Sequence, residues 1–213
     1  MREVSVHKMG QAVGAYVAKK VSKAEQAALL AYGAEILIGS AIKLSVLFSL
    51  TAVLGVLPEV AVLLLVTGLL RTLSGGAHCS AYYRCLVTSV FILTALGYMI
   101  KTVQPFTGSL PPVVLCGITL ISIYLYWRYA PQAPINKPFK SKKMELAFRW
   151  YTLIAVVMLS ILSITLGTDN PVSWTMVFAL LWQAFTLTPA GHRLIGSLDI
   201  LLTLKQKGGE AKC

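Results

Sequence analysis

The sequence predicts an all-α, polytopic membrane protein, with about six transmembrane helices behind an N-terminal amphipathic interfacial helix. Three observations carry that expectation. Only 13% of the residues are charged, about half the fraction usual in a soluble domain. Hydrophobic residues make up 56% of the chain, and the mean hydropathy is +0.73. The apolar residues also fall into runs close to the roughly 20 residues that cross a bilayer core, separated by short Pro-, Gly- and Lys-bearing connectors. At 213 residues such a bundle uses the whole chain, so 1–213 reads as one membrane-embedded domain.

Residues 1–25 form the interfacial element. Val6, Met9, Val13, Tyr16, Val17 and Val21 share one stripe at helical spacing, with Lys8, Lys19, Lys20 and Lys23 elsewhere, as on a helix lying on an anionic leaflet. A helix packed on the bundle fits the same pattern. The charges Arg2, Glu3, Lys8, Lys19, Lys20, Lys23 and Glu25 interrupt any signal-type apolar core, so no cleavable signal peptide is expected.

The transmembrane bundle is expected over 27–190. Its first run is Ala27 to Leu57, broken at Pro58-Glu59, and it contains Glu35 and Lys43. Charges inside a span face protein rather than lipid. The second run, Val60 to Leu73, is short for a 30 Å core. Leu86 to Val103 is the third run, and Gln104 to Pro112 reads as a turn. Val113 to Trp127 is the fourth. Residues 128–149, rich in proline and lysine, read as a basic cytoplasmic loop. Trp150 to Leu166 is the fifth run and Val172 to Thr188 the sixth, with Gly167 to Pro171 turning the chain between them. Residues 191–213 are left as a cytoplasmic tail.

Charge orients this arrangement. With six spans and both ends inside, Lys101 is the sole one of the 19 Lys and Arg residues on the outer side, and Lys43 lies within a span. The positive-inside rule then puts both termini in the cytoplasm. It also explains a net charge of +11 without nucleic acid as a partner, because the charges sit in the connectors. The four cysteines, Cys79, Cys85, Cys116 and Cys213, have neither a disulfide framework nor paired CxxC spacing. No metal or other cofactor is implied.

The chemistry concentrates in Arg71-Thr-Leu-Ser-Gly75-Gly76-Ala-His78-Cys79-Ser80-Ala-Tyr-Tyr-Arg84-Cys85. A thiol acts as a nucleophile in its thiolate form, and a nearby imidazole is the usual base. His78 and Cys85 are seven residues apart. On one straight helix they would share a face but stand about 10.5 Å apart, beyond the roughly 3 Å a base requires. A working pair therefore requires a broken helix. Gly75-Gly76 permits the break, and Ser80 is a plausible N-cap for the helix that carries Cys85. Arg71 or Arg84 is suited to bind a substrate carboxylate or an oxyanion. Cys79 is a rival nucleophile. The basic residues of the 128–149 loop suit anionic lipid headgroups or an acidic peptide, or serve only to set topology.

At these residues the chain resembles the accessory gene regulator B family of bacterial membrane cysteine proteases. Three segments carry the resemblance: Arg71…Gly75-Gly76-Ala77-His78…Cys85; Tyr129-Ala-Pro-Gln-Ala-Pro-Ile-Asn-Lys137-Pro-Phe…Lys140-Ser-Lys142-Lys143; and Gln183-Ala-Phe-Thr-Leu-Thr-Pro189. They lie in order along most of the chain. The resemblance implies that Cys85 is the nucleophile and His78 the base, with Arg71, Gly75, Gly76, Lys140, Lys142 and Lys143 supporting them or binding substrate. It implies an AgrD-like quorum-sensing propeptide as substrate, cut before an acidic C-terminal tail. A thioester acyl-enzyme then passes its acyl group to a Cys or Ser side chain of the peptide, closing a thiolactone or lactone. Membrane lipids and a second copy in a homodimer are further implied partners. Two other classes stay open on the residues alone: a peptide exporter using Glu35 and Lys43, and a non-catalytic signalling scaffold.

Overall fold

The computed structural model of the chain describes residues 6–20, 27–77, 79–80, 82–107, 111–133, 139 and 141–210. Among the described residues there are eight helices and no strand. They are α1 (Val6–Lys20), α2 (Ala27–Val53), α3 (Leu57–Ser74), α4 (Tyr82–Thr107), α5 (Pro112–Tyr129), α6 (Lys142–Leu166), α7 (Pro171–Leu187) and α8 (Pro189–Glu210). Helices α2 to α6 are long and apolar enough to cross a membrane, and α7 is a shorter apolar helix of 17 residues. The all-α polytopic expectation holds. The chain divides into two compact units, 1–50 and 51–213.

In the first unit α1 lies very close to the start of α2. A β-carbon on Gly14 would stand 2.3 Å from the Ala31 backbone, and one on Gly10 would stand 2.8 Å from the Glu35 side chain. Ala18, one turn further along that face, is buried. Small residues four apart let two helix axes approach closely. The apolar residues Met9, Val13, Tyr16 and Val17 are turned outward and exposed. The stripe that the sequence shows is thus not the one α1 uses for packing.

In the second unit α7 is the central helix and packs on α3, α4, α5, α6 and α8. That position explains its composition. Trp174 and Val177 pack with Leu115, Val114, Ile118 and Phe178. The polar residues Ser173, Thr175, Gln183 and Thr186 are also buried, and each has a hydrogen-bond partner, as burial of polar groups requires. Around this core Leu65, Phe91, Leu120, Ile154 and Met158 are more than half exposed, the surface expected to face hydrocarbon.

Several sequence boundaries move. The first break falls at Leu54 to Val56, not at Pro58-Glu59. Pro58 sits in the first turn of α3, where its missing N–H has no helical partner to lose. Helix α4 runs through Pro105 to Thr107, because a proline in a last turn forfeits a single backbone bond. The 128–149 loop is shorter than expected. Helix α5 continues to Tyr129 and α6 begins at Lys142, capped by the Ser141 hydroxyl, which accepts from the Met144 N–H at 3.2 Å. The 191–213 tail is mostly helix α8.

Candidate active site

Four chain segments meet at one end of the second unit. Helix α3 ends at Ser74, and the Gly75 N–H closes its last turn on the Arg71 carbonyl at 3.0 Å. The chain then turns through Gly75 at φ 76° and Gly76 at φ 132°. Both positions need glycine. At Gly75 an added β-carbon would stand 2.0 Å from the Gln132 carbonyl oxygen, and at Gly76 it would stand 3.0 Å from the Thr186 hydroxyl. The sequence predicts a permissive break here, and the structure makes it an obligatory one.

This turn is held from three directions. The Gln183 side chain, at the end of α7, donates to the Gly75 carbonyl at 2.9 Å. The Gln132 N–H donates to the Ser74 carbonyl at 2.8 Å. The Ala77 N–H donates to the Thr186 carbonyl at 3.3 Å, while the Arg71 guanidinium donates to the Ala77 carbonyl. Gln132 is itself anchored, donating to the Leu187 carbonyl at 2.7 Å and pairing with His192 at 2.9 Å. Arg71, Gly75 and Gly76 are therefore brought together as one clamp on the residue that precedes His78.

His78 and Lys140 lie outside the described residues. Cys79 and Ser80, which follow His78, are not helical. Cys85 is the fourth residue of α4, so no continuous helix joins positions 78 and 85. The Ser80 hydroxyl, just before α4, donates to the Asp199 carboxylate at 2.7 Å. Arg84 is likewise engaged from α8. Its Nε stands 3.4 Å from the Asp199 carboxylate, and its Nη1 donates to the Thr203 hydroxyl.

Cys79, Cys85, Arg71 and Asp199 are near enough for their charges to act on one another. Burial pushes the Cys79 thiol above its ordinary range. The neighbouring Thr88 hydroxyl pulls it down, Cys85 and Asp199 push it up, and Arg71 pulls it down. Burial dominates, which disfavours the Cys79 thiolate and weakens Cys79 as a rival nucleophile.

Lys142 and Lys143 open α6 and are exposed. Lys142 lines a cavity of about 480 Å³ together with Arg128, Arg149, Glu145, Ala130 and Pro131. The last two residues lead directly into Gln132 and the clamp. Arg149 stacks on the Trp127 ring at 4.8 Å and donates to the Trp127 carbonyl at 2.9 Å. Three cations thus stand around one acid beside the glycine turn.

Sequence reasoning missed Asp199, Thr203 and His192. Asp199 left a faint signal: it is the only acidic residue between Asp169 and Glu210, and it lies on the basic side of the bundle.

The family model for accessory gene regulator B matches residues 11–187. A putative AgrB-like protein 2 of Clostridium perfringens strain 13 is 27% identical over 199 residues, covering 86% of this chain and 93% of that protein. A putative AgrB-like protein of C. perfringens strain SM101 is 24% identical over 186 residues, covering 82% and 87%. Protein FsrB of Enterococcus faecalis is 25% identical over 146 residues, covering 68% of this chain and 58% of its own. No solved structure matches. With the helical bundle, the glycine clamp and a family match over most of its length, the chain belongs to the accessory gene regulator B family.

Proposed function

We propose that this protein is an integral-membrane cysteine endopeptidase that matures a quorum-sensing propeptide. In this reading Cys85 is the nucleophile, His78 the base, and the clamp and basic residues support or bind the peptide. The observation that carries the reading is the break between α3 and α4. Helix α3 ends at Ser74 and α4 starts at Tyr82, with the turn between them tied to α7 and to Gln132. That removes the objection that a straight helix would hold the pair about 10.5 Å apart.

The chemistry follows from the roles. His78 takes the Cys85 proton as the sulfur attacks the scissile carbonyl carbon. The tetrahedral intermediate collapses, the C–N bond breaks, and His78 returns the proton to the leaving amine of the tail. The thioester left on Cys85 retains its acyl energy. A Cys or Ser side chain within the bound peptide attacks it, the Cys85 thiol leaves, and a thiolactone or lactone ring closes. The internal acceptor outcompetes water through its high effective concentration, and a membrane-edge site limits water access. The Gly75–Ala77 turn keeps the segment rigid, with Arg71 fixing the carbonyl before His78.

Lys140, Lys142 and Lys143 meet the acidic tail of the peptide by charge complementarity. The cavity lined by Lys142, Arg128 and Arg149 supports that assignment. The lysine and arginine distribution supports a multi-pass protein of the bacterial cell membrane with termini and site in the cytoplasm.

The test uses the full-length protein in liposomes with a synthetic propeptide: an amphipathic N-terminal helix, an internal cysteine and an acidic C-terminal tail. Mass spectrometry is expected to find an adduct on Cys85 weighing the propeptide less its tail, absent in Cys85→Ala, together with release of the tail. A Cys85→Ala variant that still releases the tail would end the assignment. Binding of the propeptide without cutting by the unaltered protein would favour an exporter or scaffold.

A further inference from the structure

The family match ends at residue 187, and α8 begins at Pro189, yet α8 reaches the site. Asp199, near its middle, gathers both ends of the stretch before the nucleophile. Its carboxylate accepts from the Ser80 hydroxyl at 2.7 Å and from the Ser80 N–H at 3.3 Å. The same carboxylate pairs with the Arg84 Nε at 3.4 Å, with both side chains only 16% exposed. Arg84 Nη1 also donates to the Asp199 backbone carbonyl at 3.4 Å and to the Thr203 hydroxyl, while the Thr203 hydroxyl donates to the Asp199 carbonyl at 2.8 Å. Ser80 is two residues after His78, and Arg84 directly precedes Cys85.

We propose that Asp199 is a positioning residue of the peptidase site: through Ser80 and Arg84 it fixes the bend that lets His78 reach Cys85. This rests on the His78–Cys85 reading given above. On the near side the segment is anchored at Ala77, by Arg71 and the end of α7. Asp199 supplies the far anchor, at Ser80. A charged acceptor suits the task, because hydrogen bonds to an ionised group are about twice as strong as neutral ones. Pairing ties Arg84 to α8, so in this reading Arg84 serves the positioning of the segment. Reactions of a positioned pair lose about 100-fold for a displacement near 1 Å, so a group that never touches the substrate can control the rate.

The experiment uses the full chain in liposomes, with Cys79, Cys116 and Cys213 replaced by Ser so that Cys85 is the one thiol. Two readouts are followed in Asp199→Asn, in Ser80→Ala and in the double variant. The first is the rate of Cys85 alkylation by iodoacetamide at neutral pH. The second is kcat and KM for the synthetic propeptide. Each single change is expected to slow alkylation toward the rate of a His78→Ala control. Each is also expected to lower kcat about 10- to 100-fold with KM within about twofold, and the double variant should be no worse than the worse single one. Should Asp199→Asn fail to fold, Ser80→Ala carries the same expectation. Alkylation and kcat both unchanged, or a raised KM at constant kcat, overturns the proposal alone. Cutting by a Cys85→Ala control overturns the site assignment, and the proposal falls with it.

Discussion

The two ends of the α3–α8 unit solve the same problem of reversing a chain, and they solve it differently. At one end the partners are local. The Gly55 N–H bonds the Ala52 carbonyl, Val56 bonds Thr51, and Gly167 bonds Ile164. Asn170 caps α7 through the Val172 N–H at 2.9 Å, and the Trp174 indole donates to Thr168 at 2.8 Å. Lys101, reaching Gly55 at 2.5 Å, is the long-range tie described there. At the other end the ties cross the chain: Gln132 to Leu187, Gln183 to Gly75, Ser80 to Asp199, with separations of 55, 108 and 119 residues. Local bonds suffice to turn a chain. Distant side chains are needed to hold an irregular backbone in one particular shape, and that end carries Cys85, the proposed nucleophile.

The largest effect that would break this contrast concerns glycine. Gly75→Ala places a β-carbon 2.0 Å from the Gln132 oxygen at a positive φ. It is expected to destabilise by about 2–4 kcal/mol and to abolish tail release. Gly196→Ala, in α8, meets nothing within 4 Å and is expected to be neutral or to stabilise by about 0.5–1 kcal/mol, with release unchanged. Thermal unfolding in detergent and the propeptide assay read both. Equal behaviour of the two variants would mean the clamp is not the rigid element drawn here.

A matched pair of losses sharpens the comparison at intermediate size. Gln183→Leu removes the donor to the Gly75 carbonyl, and Trp174→Phe removes the indole donor to Thr168 at the opposite end. Gln183→Leu also loses a longer bond to the Ser74 hydroxyl at 3.4 Å; each change leaves an acceptor behind, for about 1–3 kcal/mol. Gln183→Leu is expected to lower propeptide cutting at least tenfold, while Trp174→Phe keeps it. If both lower cutting in proportion to stability, the two ends differ in architecture but not in function.

This contrast was only half legible in the sequence. The number and order of the apolar helices α2 to α7 followed from apolar run length, because membrane spans obey a one-dimensional rule, whereas α8 did not. Gly75-Gly76 announced the break, and Ser141 could have announced the start of α6 by its capping chemistry. What failed to show was pairing across the bundle. Nothing local to Asp199 says that it meets Ser80 and Arg84, and Gln132 and Gln183 read as ordinary polar residues until their partners are seen. The face that α1 packs on α2 was hidden for a related reason. Helix packing there depends on Gly10 and Gly14, whose contribution is close approach rather than hydrophobicity.

The smallest effect tests how far the site end extends into α4. The Thr88 hydroxyl is one turn beyond Cys85 and interacts with the Cys79 thiol, which burial holds above its ordinary range. The sign is that of a group whose folded value is raised. Its contribution to stability is whole below the ordinary thiol pKa of about 8.5 and is lost as pH climbs through the folded value. Alkylation of Cys79 by iodoacetamide should therefore be slow at neutral pH and accelerate only in the alkaline range, and Cys79→Ser should leave cutting intact. Thr88→Val removes the hydroxyl that pulls this thiol down, so Cys79 alkylation should slow a further few-fold. It also takes one weakly bonded hydroxyl out of the helix interior, so stability should change by at most about 1 kcal/mol. If Thr88→Val instead costs cutting while stability is kept, the hydroxyl serves the bound peptide, and the boundary between the structural and the reacting parts of α4 lies a turn deeper than Cys85.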